Sequence, residues 1–173
     1  MVLVQKKDGT IRFYIDYRKV NGVTVKHSYL LPRIDDCLDA LSGSHWFCTL
    51  DLASGYWQVE MAEKDKEKTA PSTGSGLYQF NAMPFGLCNA PAIFERLMER
   101  VLMGLPYQVL LIFLDDVIVH TKSFEEVVRC LRLVFERIQS ANLTLSSKKY
   151  FLPEEGYLSG PRCEWRWSEY LPG

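Results

Sequence analysis

The sequence predicts an α+β fold, an antiparallel sheet with helices packed on one face. Three observations carry this expectation. Apolar runs at 46–50, 109–114 and 117–119 have strand length. Apolar residues recur at helical spacing over 90–103 and 124–141, which makes two amphipathic helices available to cover a sheet. Strands and helices come in mixed order, which favours an α+β arrangement over regular βαβ alternation.

Taken in order, Val2 to Gln5 and Ile11 to Tyr17 flank Lys6-Lys7-Asp8-Gly9 and read as a hairpin with a basic, glycine-containing tip. Asp35 to Leu41 is a short helix with Ile34, Leu38 and Leu41 on one face, stopped near Gly43. Trp46 to Leu50 is a strand that ends at Asp51. Thr69 to Thr73 and Leu77 to Ala82 read as two more strands around Gly74-Ser75-Gly76, and Pro71, which cannot donate to a ladder, confines the first to an edge.

Asn89 is placed to cap a helix running to about Met103, with Pro91 tolerated in its first turn. Phe94, Leu97, Met98 and Val101 form its apolar face, and Gly104 and Pro106 end it. The run to Leu114, the pair Asp115-Asp116 and then Val117-Ile118-Val119 predict two strands around an acidic pair. Ser123 and Glu126 have capping-box spacing, and Val127, Leu131, Val134 and Ile138 carry one apolar face to about Asn142. A last short strand is expected at Leu143-Thr144-Leu145. Beyond Tyr150, Pro153, Gly156, Gly160, Pro161 and Pro172 break any period, so the organisation reads as a domain over 1–149 and an irregular tail over 150–173.

Twenty Lys and Arg against 21 Asp and Glu leave a net charge of −1, which excludes nucleic-acid binding by bulk charge but leaves room for a local basic groove. The longest apolar run, Val109 to Leu114, falls far short of the roughly 20 residues a membrane helix needs, so no membrane partner is expected. Cys37, Cys48, Cys88, Cys130 and Cys163 lack Cys-x-x-Cys spacing and read as free thiols of a reducing compartment, either cytoplasm or nucleus. His27, His45 and His120 are scattered and read as surface or satisfied histidines rather than ligands.

Asp115 and Asp116 sit between the two most apolar stretches, where a plain hairpin turn and a metal-binding edge are both consistent with the residues. Asp51 ends another strand-like run. If those strands are neighbours, three carboxylates meet at one sheet edge, an arrangement that like-charge repulsion disfavours without cations. Two Mg²⁺ ions, hard cations that prefer oxygen, would resolve it.

Phe113-Leu114-Asp115-Asp116 resembles the aromatic-x-Asp-Asp box of reverse transcriptases, and Asp51-Leu52-Ala53-Ser54-Gly55-Tyr56-Trp57-Gln58-Val59 resembles their first catalytic motif. The stretch from Met83 to Phe94, with Pro84-Phe85-Gly86, is similar to the template- and nucleotide-contacting motif in the form found in gypsy-class LTR retrotransposons. Asp16-Tyr17-Arg18-Lys19-Val20-Asn21 and Leu31-Pro32-Arg33-Ile34-Asp35-Asp36 fit the same class, and the ordered set covers about residues 2 to 149.

This resemblance implies a partial fingers–palm domain of a Pol polyprotein and RNA-directed DNA polymerase activity by two-metal nucleotidyl transfer. Mg²⁺ would be the cofactor, Mn²⁺ a substitute, and a primer on an RNA or DNA template and dNTP the substrates. It implies Asp51 and Asp115 as principal metal ligands, Asp116 as support and the Leu52 carbonyl as a further donor. Tyr56 falls where the family keeps an aromatic gate against the ribose 2′-hydroxyl, and Phe85 would line the nucleotide pocket. Lys6, Lys7 and Arg12 would clamp the triphosphate, and Lys148 or Lys149 lies near the family's proton-donating lysine.

Outside that family setting, the Lys6-Lys7 tip reads as a soluble turn, Lys148-Lys149 as a solvated pair, and Tyr56 and Phe85 as core aromatics. The sequence departs from the family at Leu30, at Pro71 and after Lys149, where Tyr157-Leu158-Ser159-Gly160-Pro161-Arg162-Cys163 stands in place of a primer-grip hairpin. The thumb and RNase H portions would then come from elsewhere in a polyprotein. The alternative expectation is an inactive retroelement remnant or a domesticated binding fragment.

Overall fold

The computed structural model describes residues 2–5, 9, 11–29, 33–73, 76–105, 109–113 and 116–146. Lys6, Lys7, Leu114, Asp115, Lys148, Lys149 and the 150–173 tail, for which the sequence sets expectations, lie outside them.

The chain opens with an antiparallel hairpin of β1 (Val2–Gln5) and β2 (Ile11–Tyr14), in which Arg12 stands opposite Val4. Helix α1 (Arg18–Val23) follows, and its first turn is set by Asp16, whose Oδ1 accepts the Arg18 amide at 3.1 Å. The Arg18 guanidinium grips the same carboxylate at 2.6 Å and holds the Asp16 pKa down at about 2. Helix α2 (Ile34–Leu41) carries Asp35 and Asp36 in its first turn, where acidic side chains suit the helix dipole. Its inward residue is Cys37, and Leu38, expected on the buried face, is half exposed. The apolar stripe follows 34, 37 and 41, a helical spacing as good as 34, 38 and 41, and packing selects the former.

The organising sheet has the order β3 (Trp46–Asp51), β7 (Asp116–Thr121) and β6 (Leu110–Phe113), all antiparallel. Side chains alternate across it. Cys48 and Leu50 of β3, Val117 and Val119 of β7 and Leu110 of β6 all belong to one buried cluster. The cover is α4 (Ala90–Val101) and α5 (Phe124–Ser140), which contribute Phe94 and Met98, and Val127, Leu131, Val134 and Ile138. The expected α+β architecture, a sheet with helices on one face, is the one formed. Ser123 Oγ accepts the Glu126 amide at 3.3 Å, as the capping-box spacing predicts.

Two expectations are corrected. The strands anticipated at Thr69–Thr73 and Leu77–Ala82 shrink to a two-residue hairpin, β4 (Ser72–Thr73) with β5 (Gly76–Leu77). Thr69 instead closes a 3₁₀ turn that follows α3 (Glu63–Lys66). Pro71 lies just before β4, opposite Tyr78, whose amide donates to its carbonyl; with no N–H it returns no bond, and the ladder stops there. Asn89 occupies the position before α4, yet its side chain makes no capping bond to that helix. A more distant segment of the chain takes it, as described below.

Among the described residues, no helix is long and apolar enough to cross a membrane.

Candidate functional site

Asp51 closes β3 and Asp116 opens β7, and the two are register partners. Residues directly opposite in an antiparallel pair project to the same face. Their face is the one away from the α4–α5 cover, shared with Thr49 and Ile118, and all four residues are only partly buried. Phe113 of β6 is the next partner of Asp116 across the sheet.

The segment after α5 completes this edge. The Ser146 amide donates to the Asp51 carbonyl at 2.8 Å and the Ala53 amide to the Thr144 carbonyl at 3.0 Å, which forms a bridge between Leu52 and Leu145. Backbone groups of successive strand residues point to alternate sides, so the Asp51 and Ala53 bonds leave the Leu52 N–H and C=O directed toward the β7 side. By the same alternation Asp51 and Asp116 are a non-hydrogen-bonded pair, the closer of the two kinds, with a Cα separation of about 4.5 Å in such ladders. Gln58 pins the join: its Nε2 donates to the carbonyls of Ala53 at 2.6 Å and Thr144 at 2.9 Å, and its Oε1 accepts the Thr144 amide at 2.6 Å.

The site's second half is aromatic. Ser54 takes a left-handed conformation, φ 55, which turns the chain out of β3 into the 3₁₀ turn Gly55–Gln58. Gly55 is required there, because a Cβ would sit 2.8 Å from Phe94 Cζ. The Tyr56 ring then packs between Phe85 (5.1 Å between centroids) and Phe94 (5.4 Å). Trp57, partly exposed, lies 5.2 Å from Phe80 and 6.2 Å from Phe85.

The loop that bears Phe85 is shaped by Gly86 at φ +96, where the Tyr17 ring would lie 3.4 Å from an added Cβ. Tyr17 itself is buried and donates to the Thr69 carbonyl at 3.0 Å, and burial raises its pKa to about 12.

Of the expected site residues, the fold brings Asp51, Asp116 and the Leu52 backbone together, and it brings Tyr56 and Phe85 into contact. Arg12 falls on the separate β1–β2 hairpin. Among the described residues, no group of three or more His, Cys, Asp and Glu side chains forms a metal centre. The two converging carboxylates and a backbone carbonyl are nonetheless hard oxygen donors of the kind Mg²⁺ takes. Sequence reasoning missed Trp57, which the motif around Tyr56 already contained. It also missed Asn21 and Gln58, whose partners lie far along the chain.

The profile of the family "Reverse transcriptase (RNA-dependent DNA polymerase)" matches residues 4–155. The chain is 43% identical over 150 residues to the retrovirus-related Pol polyprotein from transposon 297 of Drosophila melanogaster, covering 86% of this chain and 14% of that one. It is 44% identical over 130 residues to an RNA-directed DNA polymerase homolog of Oenothera berteroana, covering 73% of this chain and 92% of the relative. Its fold superposes, with a TM-score of 0.80 and 25% identity, on a foamy viral protease-reverse transcriptase solved in complex with double-stranded DNA, over 88% of this chain and 27% of the other.

Proposed function

Because the chain belongs to the reverse transcriptase family, we propose that it is the fingers–palm part of an RNA-directed DNA polymerase, which joins a deoxynucleotide to a primer 3′-hydroxyl. In this reading residues 1–149 are the polymerase domain and 150–173 a divergent tail. The observation that carries it is the register pairing of Asp51 with Asp116 on the face of the sheet away from α4 and α5.

Asp51, Asp115, Asp116 and the Leu52 carbonyl would hold two Mg²⁺ ions, or Mn²⁺ in their place. When bound, such ions make the primer hydroxyl more acidic and offset the charge that builds on the departing phosphates. The chain's own residues do the rest. Sheet register fixes where the Asp51 and Asp116 carboxylates stand. The Tyr56 ring, wedged between Phe85 and Phe94, bars a ribose 2′-hydroxyl, and Phe85 lines the pocket. Lys6, Lys7 and Arg12 neutralise the triphosphate, and Lys148 or Lys149 protonates the leaving pyrophosphate. The primer on an RNA or DNA template is the macromolecular substrate, and the thumb and RNase H portions of a Pol polyprotein are the partners.

Primer extension on an RNA template with dNTPs and Mg²⁺ tests this reading, comparing the chain with Asp51→Asn and Asp115→Asn. The expected result is extension by the wild type and loss in both variants. A folded wild-type chain that extends no primer, by itself and with the thumb and RNase H portions of a related Pol polyprotein supplied, overturns the polymerase reading and leaves the inactive remnant or domesticated fragment in its place.

A further inference from the structure

Resting on the nucleotide-site reading above, we propose that Asn21 is a positioning residue that sets the Phe85–Cys88 loop for the incoming deoxynucleotide, with Asn89 locking the same junction from the opposite side. Asn21 lies on α1, 65 residues before Gly86, and its Nδ2 donates to the Gly86 carbonyl at 2.8 Å. Its Oδ1 accepts the Cys88 amide at 2.9 Å. One side-chain amide thus spans the residues just after Phe85 as the peptide of a neighbouring strand would. Asn89 returns the arrangement: its Nδ2 donates to the Val25 carbonyl at 2.9 Å and its Oδ1 accepts the His27 amide at 3.0 Å. This is why Asn89 does not cap its own helix.

Beyond Tyr17, which precedes the helix, apolar packing does little of this work. Helix α1 buries no side chain, and Val23 and Val25 are 86% and 81% exposed. The two amides, together with the buried Tyr17 ring beside Gly86, join this segment to the loop. Gly86, at φ +96, has glycine's conformational freedom, so its own backbone does not fix the loop and bonds from outside it must. Phe85, next to Gly86, is fixed in turn against Tyr56 and Trp57. Both clamps are neutral amides and act without regard to pH or salt.

A residue that shapes the pocket without touching the reacting atoms alters nucleotide binding more than turnover. The test uses the full chain and its Asn21→Ala and Asn21→Asp variants, each checked for fold by circular dichroism. Two readouts are taken: amide hydrogen exchange at Cys88, and KM and kcat for dNTP in primer extension. Asn21→Ala is expected to speed Cys88 exchange about tenfold, the scale of one lost hydrogen bond, and to raise KM about fivefold with kcat within about twofold. Asn21→Asp keeps the acceptor but sets a carboxylate against the Gly86 carbonyl, so it retains Cys88 protection and still raises KM.

Unchanged protection in Asn21→Ala overturns the clamp. Lost protection with KM unmoved, or with kcat falling instead, overturns the positioning role. If Asn21→Ala does not fold, Asn21→Asp decides by the same KM criterion. A wild type that incorporates no dNTP, by itself and with the thumb and RNase H portions supplied, overturns the polymerase reading and the nucleotide half of this proposal with it, while Cys88 exchange still decides whether Asn21 sets the loop.

Discussion

Asp51 and Asp116 face each other across the last rung of the β3–β7 ladder, two like charges where a sheet ordinarily places attracting or apolar partners. Like charges set directly opposite work against the ladder that joins them, and a bound cation offsets this. In EDTA, Asp116→Asn is therefore expected to melt above the wild type, by up to about 4 °C for relief of about 1 kcal/mol. Added Mg²⁺ should raise the wild-type melting temperature and leave the variant behind. A variant that melts lower in EDTA would mean that the two carboxylates are structural.

The turn that follows Asp51 offers two adjacent substitutions of opposite sign. Gly55→Ala drives a methyl to 2.8 Å from the ring of Phe94, which is fully buried and has no room to retreat. Overpacking of this kind costs about 1–3 kcal/mol. Ser54→Gly, at φ 55, relieves a left-handed conformation that costs an L-residue about 1–2 kcal/mol, less the greater chain entropy glycine surrenders on folding. Urea unfolding should rank Ser54→Gly at or above wild type and Gly55→Ala clearly below. The reverse order would refute this account of the turn.

Residues whose placement depends on their own neighbourhood were legible in the sequence. Asp51 and Asp116 each border an apolar strand, and Ser123 caps its helix through the expected bond to Glu126. Misreadings arose where a local rule met a distant partner. Asn89 has every local mark of a helix cap, yet its amide is taken by Val25 and His27, more than 60 residues earlier in the chain. Leu38 is the more apolar residue of α2, but Cys37 faces inward. Asn21 and Gln58 fall within the quoted motifs, but their bridging role gave no signal, because a side-chain amide that joins two backbones has no periodicity to read.

Gln58 joins the loop after Asp51 to Thr144, 86 residues away, through both ends of its amide. Replacing it with alanine leaves the Thr144 amide without its side-chain acceptor. The loss is about 1 kcal/mol, moderate because the bonds lie near solvent. Gln58→Glu is the harsher change: it sets a carboxylate against the Ala53 and Thr144 carbonyls, which Nε2 approaches to 2.6 and 2.9 Å. Amide exchange at Thr144 and Ser146 should quicken in both variants, with thermal stability falling in the order wild type, alanine, glutamate. Exchange unaltered at both amides would show that the Leu52–Leu145 bridge holds without the side chain.

His120 ties stability to pH. It is buried on β7, its Nδ1 meets Ser44 Oγ at 3.0 Å, and its Nε2 has no hydrogen-bond partner among the described residues. Burial lowers its pKa, so the folded chain keeps the imidazole neutral at pH values where the unfolded chain has begun to protonate it. The unfolded state then binds more protons, and stability falls as the pH drops below about 6.5, with a limiting slope of about 1.4 kcal/mol per unit for one proton. Above that pH the residue adds no pH dependence. Melting temperatures measured from pH 7.5 to 5 should decline more steeply for the wild type than for His120→Gln, whose amide does not titrate. Parallel curves would require that the folded protein admit the proton, and thus that Nε2 find an acceptor when charged.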